Sequence, residues 1–563
     1  MNTTIFIPEL LENIISYHKE DPKILFKCAL VSKRWCDTTI PFLWKNPFRF
    51  CYSTSQHKII RVYLLFFSKE FLNEFDLNQI ICSKNSYPPS YNYLSFLQEL
   101  VYLTLYESLI NLLKKELSYK TLSASSNKKE CSIFHPSEQF MKNKVLPIMN
   151  ELCRLIMKNG TRINHFNLSA PPVTCNCKWL PLNYITIPSL PQSSKSLSSL
   201  KSFICDNNGY NFNNIITELS NYSKNIKTIE IKKPQTDQNI SRWINLINSQ
   251  NRLQKLKLEL FYNQDSSKIA LSIPSQYNSL REVELVDCKF YQTILLDELS
   301  KCSNLISLKI KDCSFSTTII NNYNYNINNI NDDIDPICSY FLDDIEPFPI
   351  INYFKSLKSL YISKSQLSQE YFLSFVGQTS NLERITLMLI DFFKYPKIIP
   401  FIYLNCFQLK ILEIVLVEET FEKIIPIIEN CKLLEEISIV EKYDWIGHEF
   451  FDYHDSYIDN FMNPNQVIKI ISTILPKNLK KFHFPQIFNF SLEAIQIFIQ
   501  NSPITLQDLR FYAIINDKND IIHLLENFAF NTGNRKSIIK HSESRIAFDI
   551  YKTIHHIFVA KFF

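Results

Sequence analysis

The stretch LREVELVDCKF (Leu280–Phe290) is followed, 25 residues on, by LISLKIKDCSF (Leu305–Phe315). Each opens on a six-residue frame, L-x-x-L-x-L, and closes on a cysteine three residues later and then Phe. Successive side chains of a strand point to opposite faces, so the fourth and sixth residues of the frame share one face. Stacked copies would line those residues up into a continuous core.

The frame recurs along most of the chain, with Ile, Phe or Cys allowed at its apolar positions. It begins at Ile163, Leu200, Ile226, Leu253, Leu280, Leu305, Leu357, Leu382, Leu409, Leu434, Leu479 and Leu506. The intervals are 37, 26, 27, 27, 25, 52, 25, 27, 25, 45 and 27, so eight of the eleven lie between 25 and 27. Each period leaves about 20 residues to carry the chain back. Several do so at helical spacing: Phe212, Ile215, Ile216 and Leu219; Ile240, Trp243, Ile244 and Ile247; Phe421, Ile424, Ile425 and Ile428. Strand plus helix at this period gives a curved α/β solenoid. Three intervals are longer. They hold a Pro/Ser loop (Ile187–Ser199), a polar low-complexity insert (Asn321–Asp335, within 314–350) and an acidic aromatic insert (Glu441–Asn460, within 441–462).

This array resembles leucine-rich repeats of the cysteine-containing subtype. Cys288, Cys313 and Asn208 stand at the subtype's Cys/Asn position, and Cys302, Cys406 and Cys431 precede their frames by three residues. Later units depart, with Lys442, Ile487 and Ile514 at the Cys/Asn site. The resemblance implies a horseshoe with a parallel sheet on its concave face.

The first 47 residues do not fit the repeat. Pro8 stands where a helix can start, and Leu10, Leu11, Ile14 and Ile15 make one apolar face. Asp21-Pro22 marks a second helix start, with Leu25, Cys28 and Ala29 at helical spacing. IPELLENII (Ile7–Ile15), VSKRW (Val31–Trp35) and Leu43-Trp44 resemble the F-box, a helical bundle that binds the Skp-type adaptor of cullin ubiquitin ligases. The adaptor-binding positions this resemblance carries over are Ile7, Pro8, Leu10, Leu11, Ile14, Val31 and Trp35. The whole chain looks most like lineage-expanded fungal F-box proteins with leucine-rich repeats. The expected layout is an F-box at 1–47, a helical linker at 48–160, the solenoid at 161–515 and a cap or tail at 516–563. In the linker, Leu94, Leu97, Val101 and Leu105 fit one helical face.

Composition narrows the chemistry. Five glycines in 563 residues, no two within thirty of each other, leave no room for the clustered glycines of a P-loop or dinucleotide fold. A net charge of +5 gives no ground for a nucleic-acid or membrane partner. No apolar run reaches the ~18 residues that span a bilayer. The N-terminus shows no secretory leader, and the 15 cysteines fit reduced thiols in the cytoplasm or nucleus. No cofactor is expected. His448 and His454 are spaced i, i+6, where a helical zinc pair needs i, i+4. Cys175 and Cys177, with Cys153 and His165, match no common closed zinc site.

Three functions remain. The first is the substrate-recruiting subunit of a Skp–cullin–F-box ligase, the Skp-type adaptor and cullin at one end and a target protein on the solenoid. The others are an F-box scaffold acting outside ubiquitination and a metal-dependent hydrolase; no enzymatic activity is expected of the first two. Strand positions facing away from the core alternate in charge early in the array. There Lys255 is set to face Glu282, and Lys257 to face Glu284. Later they become apolar, and the expected substrate surface is Tyr361, Arg384, Met388, Ile411, Val415, Val440 and Tyr512.

Overall fold

The computed structural model describes residues 8–81, 89–122, 138–159, 162–169, 187–206, 212–232, 237–260, 264–290, 294–315, 354–363, 365, 373, 381–388, 397–416, 418–440, 462–485, 488, 490–503, 505–506, 508–513, 535–542 and 545–552. The chain divides into two compact units, Met1–Phe261 with Lys268–Gln276, and Tyr262–Ser267 with Tyr277–Phe563.

The first unit opens with three helices, α1 (Pro8–Tyr17), α2 (Pro22–Ala29) and α3 (Lys33–Trp44). Further helices follow, among them Tyr102–Leu122 and Leu146–Lys158. Its strands are β1 (Glu99–Val101), β2 (His165–Leu168), β3 (Ser202–Asp206), β4 (Thr228–Lys232) and β5 (Lys255–Glu259). Each pairs parallel with the next, in a register that aligns Phe166, Phe203, Ile229 and Leu256. All four are fully buried, as the frame requires. The expected helices occur at Asn213–Tyr222 and Asp237–Asn248. Trp243 on the second is fully buried and stacks 5.9 Å from Phe203 of β3.

The second unit continues the same construction with β6 (Glu282–Val286), β7 (Lys289–Phe290), β8 (Ser307–Lys311), β9 (Ser314–Phe315), β10 (Ser359–Ser363), β11 (Arg384–Met388), β12 (Ile411–Val415), β13 (Glu436–Val440), β14 (Lys481–His483) and β15 (Asp508–Ala513). Setting aside the short β7 and β9, which pair with each other, these form a run of parallel neighbours. All twelve frames therefore carry strands, and the fold is an α/β repeat solenoid behind an N-terminal helical region. In the stretch read as a cap or tail, β16 (Arg535–Ser542) and β17 (Arg545–Lys552) form a hairpin whose β17 pairs antiparallel with β15. Its pairing occupies an edge that would otherwise present unpaired backbone groups.

Two local readings change. Leu94–Leu105 is not one helix: Leu97, Leu100 and Tyr102 are buried in a further copy of the frame, and Glu99–Val101 pairs with β2. The apolar spacing fitted either period, and strand pairing decided it. Phe421–Ile428 is also interrupted, with a 3-10 turn over Glu418–Ile424 before a helix at Ile425–Asn430. Pro426 sits in the first turn of that helix. It has no N–H to bond back to an earlier turn, so the helix starts afresh there.

The cysteines fill buried positions. Cys288, Cys302, Cys313, Cys406 and Cys431 are all buried and unpaired by disulfides. Burial pushes the thiols of Cys302, Cys406 and Cys431 up to about 12, so they act as small core residues and not as nucleophiles. At two frames of the first unit, those beginning at Ile226 and Leu253, the position three residues earlier is polar instead. Gln250 accepts from the Ile226 N–H (2.9 Å) and donates to the Leu246 carbonyl (2.8 Å). Ser223, at the same place one unit earlier, donates to the Leu197 carbonyl (2.8 Å).

Candidate functional site

The three N-terminal helices are built by strong local signals. Asp21 caps α2, accepting from the backbone N–H groups of Lys23 (2.9 Å) and Ile24 (3.1 Å), and Pro22 follows at the first helical position. Ser32 caps α3 through the Trp35 N–H (3.3 Å). Leu11, Ile15 and Leu25 form the core between the helices, with Trp35, Phe42 and Leu43 packed against it.

That core leaves other apolar side chains in water. Leu10 is 51% exposed, Phe26 61%, Leu30 71% and Val31 63%. An exposed apolar group on so small a bundle contributes nothing to its folding. Burial against a partner would be worth about 1.5–3 kcal/mol for each such side chain.

The structure thus sorts the positions read from sequence. Leu10 and Val31 are exposed, Ile14 is half-buried, and Trp35 is half-buried against the core. Leu11 is only 1% exposed and holds the bundle together, so it is no surface contact. Pro8 opens α1, and Ile7 lies outside the described residues. Phe26 and Leu30 were missed. The signal was present: the run from Ile24 to Val31 carries more large apolar residues than one face of an eight-residue helix can bury.

Within the first unit the bundle joins the repeat directly. The Lys45 carbonyl, just past α3, accepts from the Gln98 N–H (3.0 Å) and the Glu99 N–H (3.3 Å) at the start of β1. Asn46 Nδ2 donates to Glu99 Oε2 (2.6 Å), and the Trp44 ring lies 4.2 Å from that of Tyr93.

In the second unit the expected substrate surface is less apolar and less open than its sequence suggested. Val415 is buried at 5% exposure, which removes it from an exposed stripe. Ser363 and Thr386, on the same face, are buried too. Tyr361, Met388, Ile411 and Val440 are half-buried and Arg384 is exposed. Lys309 sits 5.2 Å over the Tyr361 ring and 3.0 Å from Glu284. Tyr512 is placed opposite Ala547 by the backbone pairing of β15 and β17.

Beyond this stripe lies a polar cluster that sequence reading did not find. Ser438 Oγ is 3.3 Å from His483 Nδ1, His483 Nε2 is 2.9 Å from Asp508 Oδ2, and Arg510 Nε is 3.6 Å from Asp508 Oδ1. Burial works against the Asp508 charge, yet His483, then Arg510 and Lys481, hold its carboxyl below the ordinary value. The cluster has the residue types of a hydrolytic triad. However, it lies on neighbouring parallel strands whose own backbone N–H groups are committed to pairing and so do not form an oxyanion site.

His448, His454, Cys175 and Cys177 lie outside the described residues. Among the described residues no group of three or more His, Cys, Asp or Glu side chains is placed to hold a metal ion, and no helix is long and apolar enough to cross a membrane.

A family profile described as F-box-like matches residues 8–50, the span of α1 to α3 and the turn that follows. A comparison with curated proteins finds no match.

Proposed function

We propose that this protein is the target-recruiting subunit of a Skp–cullin–F-box ubiquitin ligase. In this reading the N-terminal helices hold a Skp-type adaptor and, through it, a cullin, while the leucine-rich-repeat-like solenoid holds a protein to be ubiquitinated. The observation that carries it is the set of exposed apolar side chains, Leu10, Phe26, Leu30 and Val31, on a bundle that matches an F-box-like domain. The catalytic contribution is proximity. Holding a target beside a charged ubiquitin carrier raises its effective concentration and needs no reactive group in this chain. Such a subunit works in the cytoplasm or nucleus, where its adaptor and cullin are found.

The test is capture of a Skp-type adaptor by co-expression and affinity purification. The variant Leu10→Asp/Phe26→Asp/Val31→Asp changes only side chains already in water, so it should stay folded by circular dichroism and lose the adaptor. Undiminished capture by the folded variant would sink this reading. Co-purification of a cullin with the wild type separates a ligase subunit from a scaffold that uses the adaptor alone.

A further inference from the structure

The edge of the sheet where the strands begin differs in charge between the two units. In the second unit its lysines are neutralised. Glu383 bridges Lys358 (2.7 Å) and Lys410 (2.8 Å), and Glu435 pairs with Lys480 (2.5 Å). In the first unit the same column reads Lys45, Gln98, Asn164, Lys201, Lys227 and Gln254, with no carboxylate. A chain of backbone hydrogen bonds makes these residues neighbours. The Lys45 carbonyl accepts from Gln98, that of Gln98 from Asn164 (2.8 Å), that of Asn164 from Lys201 (2.8 Å), and that of Lys201 from Lys227 (2.7 Å). Arg162 and Arg252, each one residue before its frame, are exposed on the same edge. Among the described residues, no carboxylate is paired with Lys45, Arg162, Lys201, Lys227 or Arg252.

His165 lies within reach of two of these lysines and of Glu99. It is exposed on β2, and its pKa is lowered first by loss of solvation. Glu99 pulls it back up, and Lys45 and Lys201, each acting more weakly than Glu99, lower it again. The two lysines therefore act on one point from either side.

We propose that this edge of the first unit is a docking surface for an acidic, extended polypeptide segment of a partner protein. Strands lie ~4.8 Å apart, so the four steps from Lys45 to Lys227 span on the order of 19 Å. About six residues of extended chain, at ~3.3 Å each, cover that distance. Unpaired like charges gathered on one edge repel one another; an acidic strand laid along them removes that repulsion and gains charge pairing with each. Charge complementarity thus selects the occupant. A nucleic acid is the less fitting polyanion: the column holds no aromatic side chain on which a base could stack, and the whole chain carries only +5. The surface shares none of the exposed apolar residues Leu10, Phe26, Leu30 and Val31, and its assay uses the full-length chain without adaptor, so the two readings fail independently.

The experiment is fluorescence anisotropy of a labelled twelve-residue alternating Asp/Glu peptide, at low salt and at about 150 mM salt, where exposed charges are screened beyond about 8 Å. The wild type should bind with an affinity that falls as salt rises. Lys201→Glu/Lys227→Glu should weaken binding at least tenfold, while Lys410→Ala, which removes a paired lysine in the second unit, should leave it unchanged. Absence of binding by the wild type at low salt, or equal binding by the double variant, overturns the proposal. A twelve-base single strand bound more tightly than the peptide, and equally sensitive to the double variant, overturns it in favour of a nucleic-acid surface.

Discussion

The three N-terminal helices and the strand-and-helix units that follow use leucine in opposite ways. Along the repeat the frame positions are spent on the core: Leu256, Leu258, Leu285 and Leu308 are all fully buried. On α1, α2 and the turn after it, Leu10, Leu30 and Val31 are left in water although Leu11 and Leu25 beside them are not. The repeat's frame residues are accounted for by folding, while outside the frame Leu271, Leu404 and Phe407 are also exposed. In the bundle Leu10, Phe26, Leu30 and Val31 stay exposed on helices of few residues, and they are the side chains the proposed adaptor contact would cover.

The largest effect expected from this contrast lies in the repeat. Trp243 is fully buried against Phe203, so Trp243→Ala removes about 3–5 kcal/mol through lost burial and the cavity left behind. A thermal melt should show the midpoint fall by many degrees. Phe26→Ala, on the bundle, should move it within the scatter of ordinary surface changes, about 0.5 kcal/mol, while weakening adaptor capture. A large stability loss from Phe26→Ala would erase the distinction between the two regions.

A second, smaller effect sharpens the comparison inside the repeat, between units that place Cys before the frame and units that place Gln. Gln250 satisfies the buried N–H of Ile226. Gln250→Ala leaves that donor without a partner, at a cost of about 1–3 kcal/mol. Cys431→Ala, where the thiol makes only a weak contact to the Cys406 carbonyl at 3.5 Å, should cost less. Paired denaturant titrations of the two variants would check the order.

Much of this was legible in the sequence. All twelve frames became strands because positions four and six of each frame can be buried together only in an extended chain. The caps at Asp21 and the start at Pro8 were readable because capping chemistry is local. What could not be read depends on neighbours distant in sequence. β1 lies 66 residues ahead of the next frame, from Leu97 to Ile163, so no regular interval pointed to it. The apolar stripe read from Tyr361 to Tyr512 took no account of Lys309 packing over Tyr361 or of the buried Val415. The lysine edge needed both the register and the knowledge of which carboxylates stand one strand away.

Acid should separate the second unit's polar cluster from the rest of its sheet. The Asp508 carboxyl lies below the usual 3.8 in the folded protein, held there by His483, Arg510 and Lys481 against burial. A group with a depressed folded-state pKa contributes stability that is present above its unfolded value and is lost as pH falls through the folded one. The window is therefore below about pH 4. Wild type should lose stability there more steeply than Asp508→Asn, which is destabilised near neutrality but has no carboxylate to protonate. Identical pH slopes would show that Asp508 does not feel its neighbours.

The smallest effect is expected at the turns that follow β5, β6 and β8. The residue just past β6 is Asp287 (φ 51°), and past β8 it is Asp312 (φ 53°). Past β5 the same place holds Leu260, at φ 63°. A left-handed backbone costs a Cβ-bearing residue roughly 1–2 kcal/mol, and Asp and Asn tolerate it best because their short polar side chains bond locally. At two of these turns the left-handed residue bonds to the neighbouring strand, the Asp287 N–H donating to the Lys311 carbonyl (2.7 Å) and the Asp312 N–H to the Ser363 carbonyl (2.8 Å). Leu260 holds a conformation that its own side chain disfavours. Leu260→Asn should raise stability by about 0.5 kcal/mol, the relief of strain being partly offset by the loss of a half-buried leucine. Asp312→Leu, the reverse exchange two repeats further on, should lower it by a similar amount. A denaturant midpoint that falls in Leu260→Asn would mean the leucine's packing outweighs its backbone strain, and that the turns of the two units are not interchangeable.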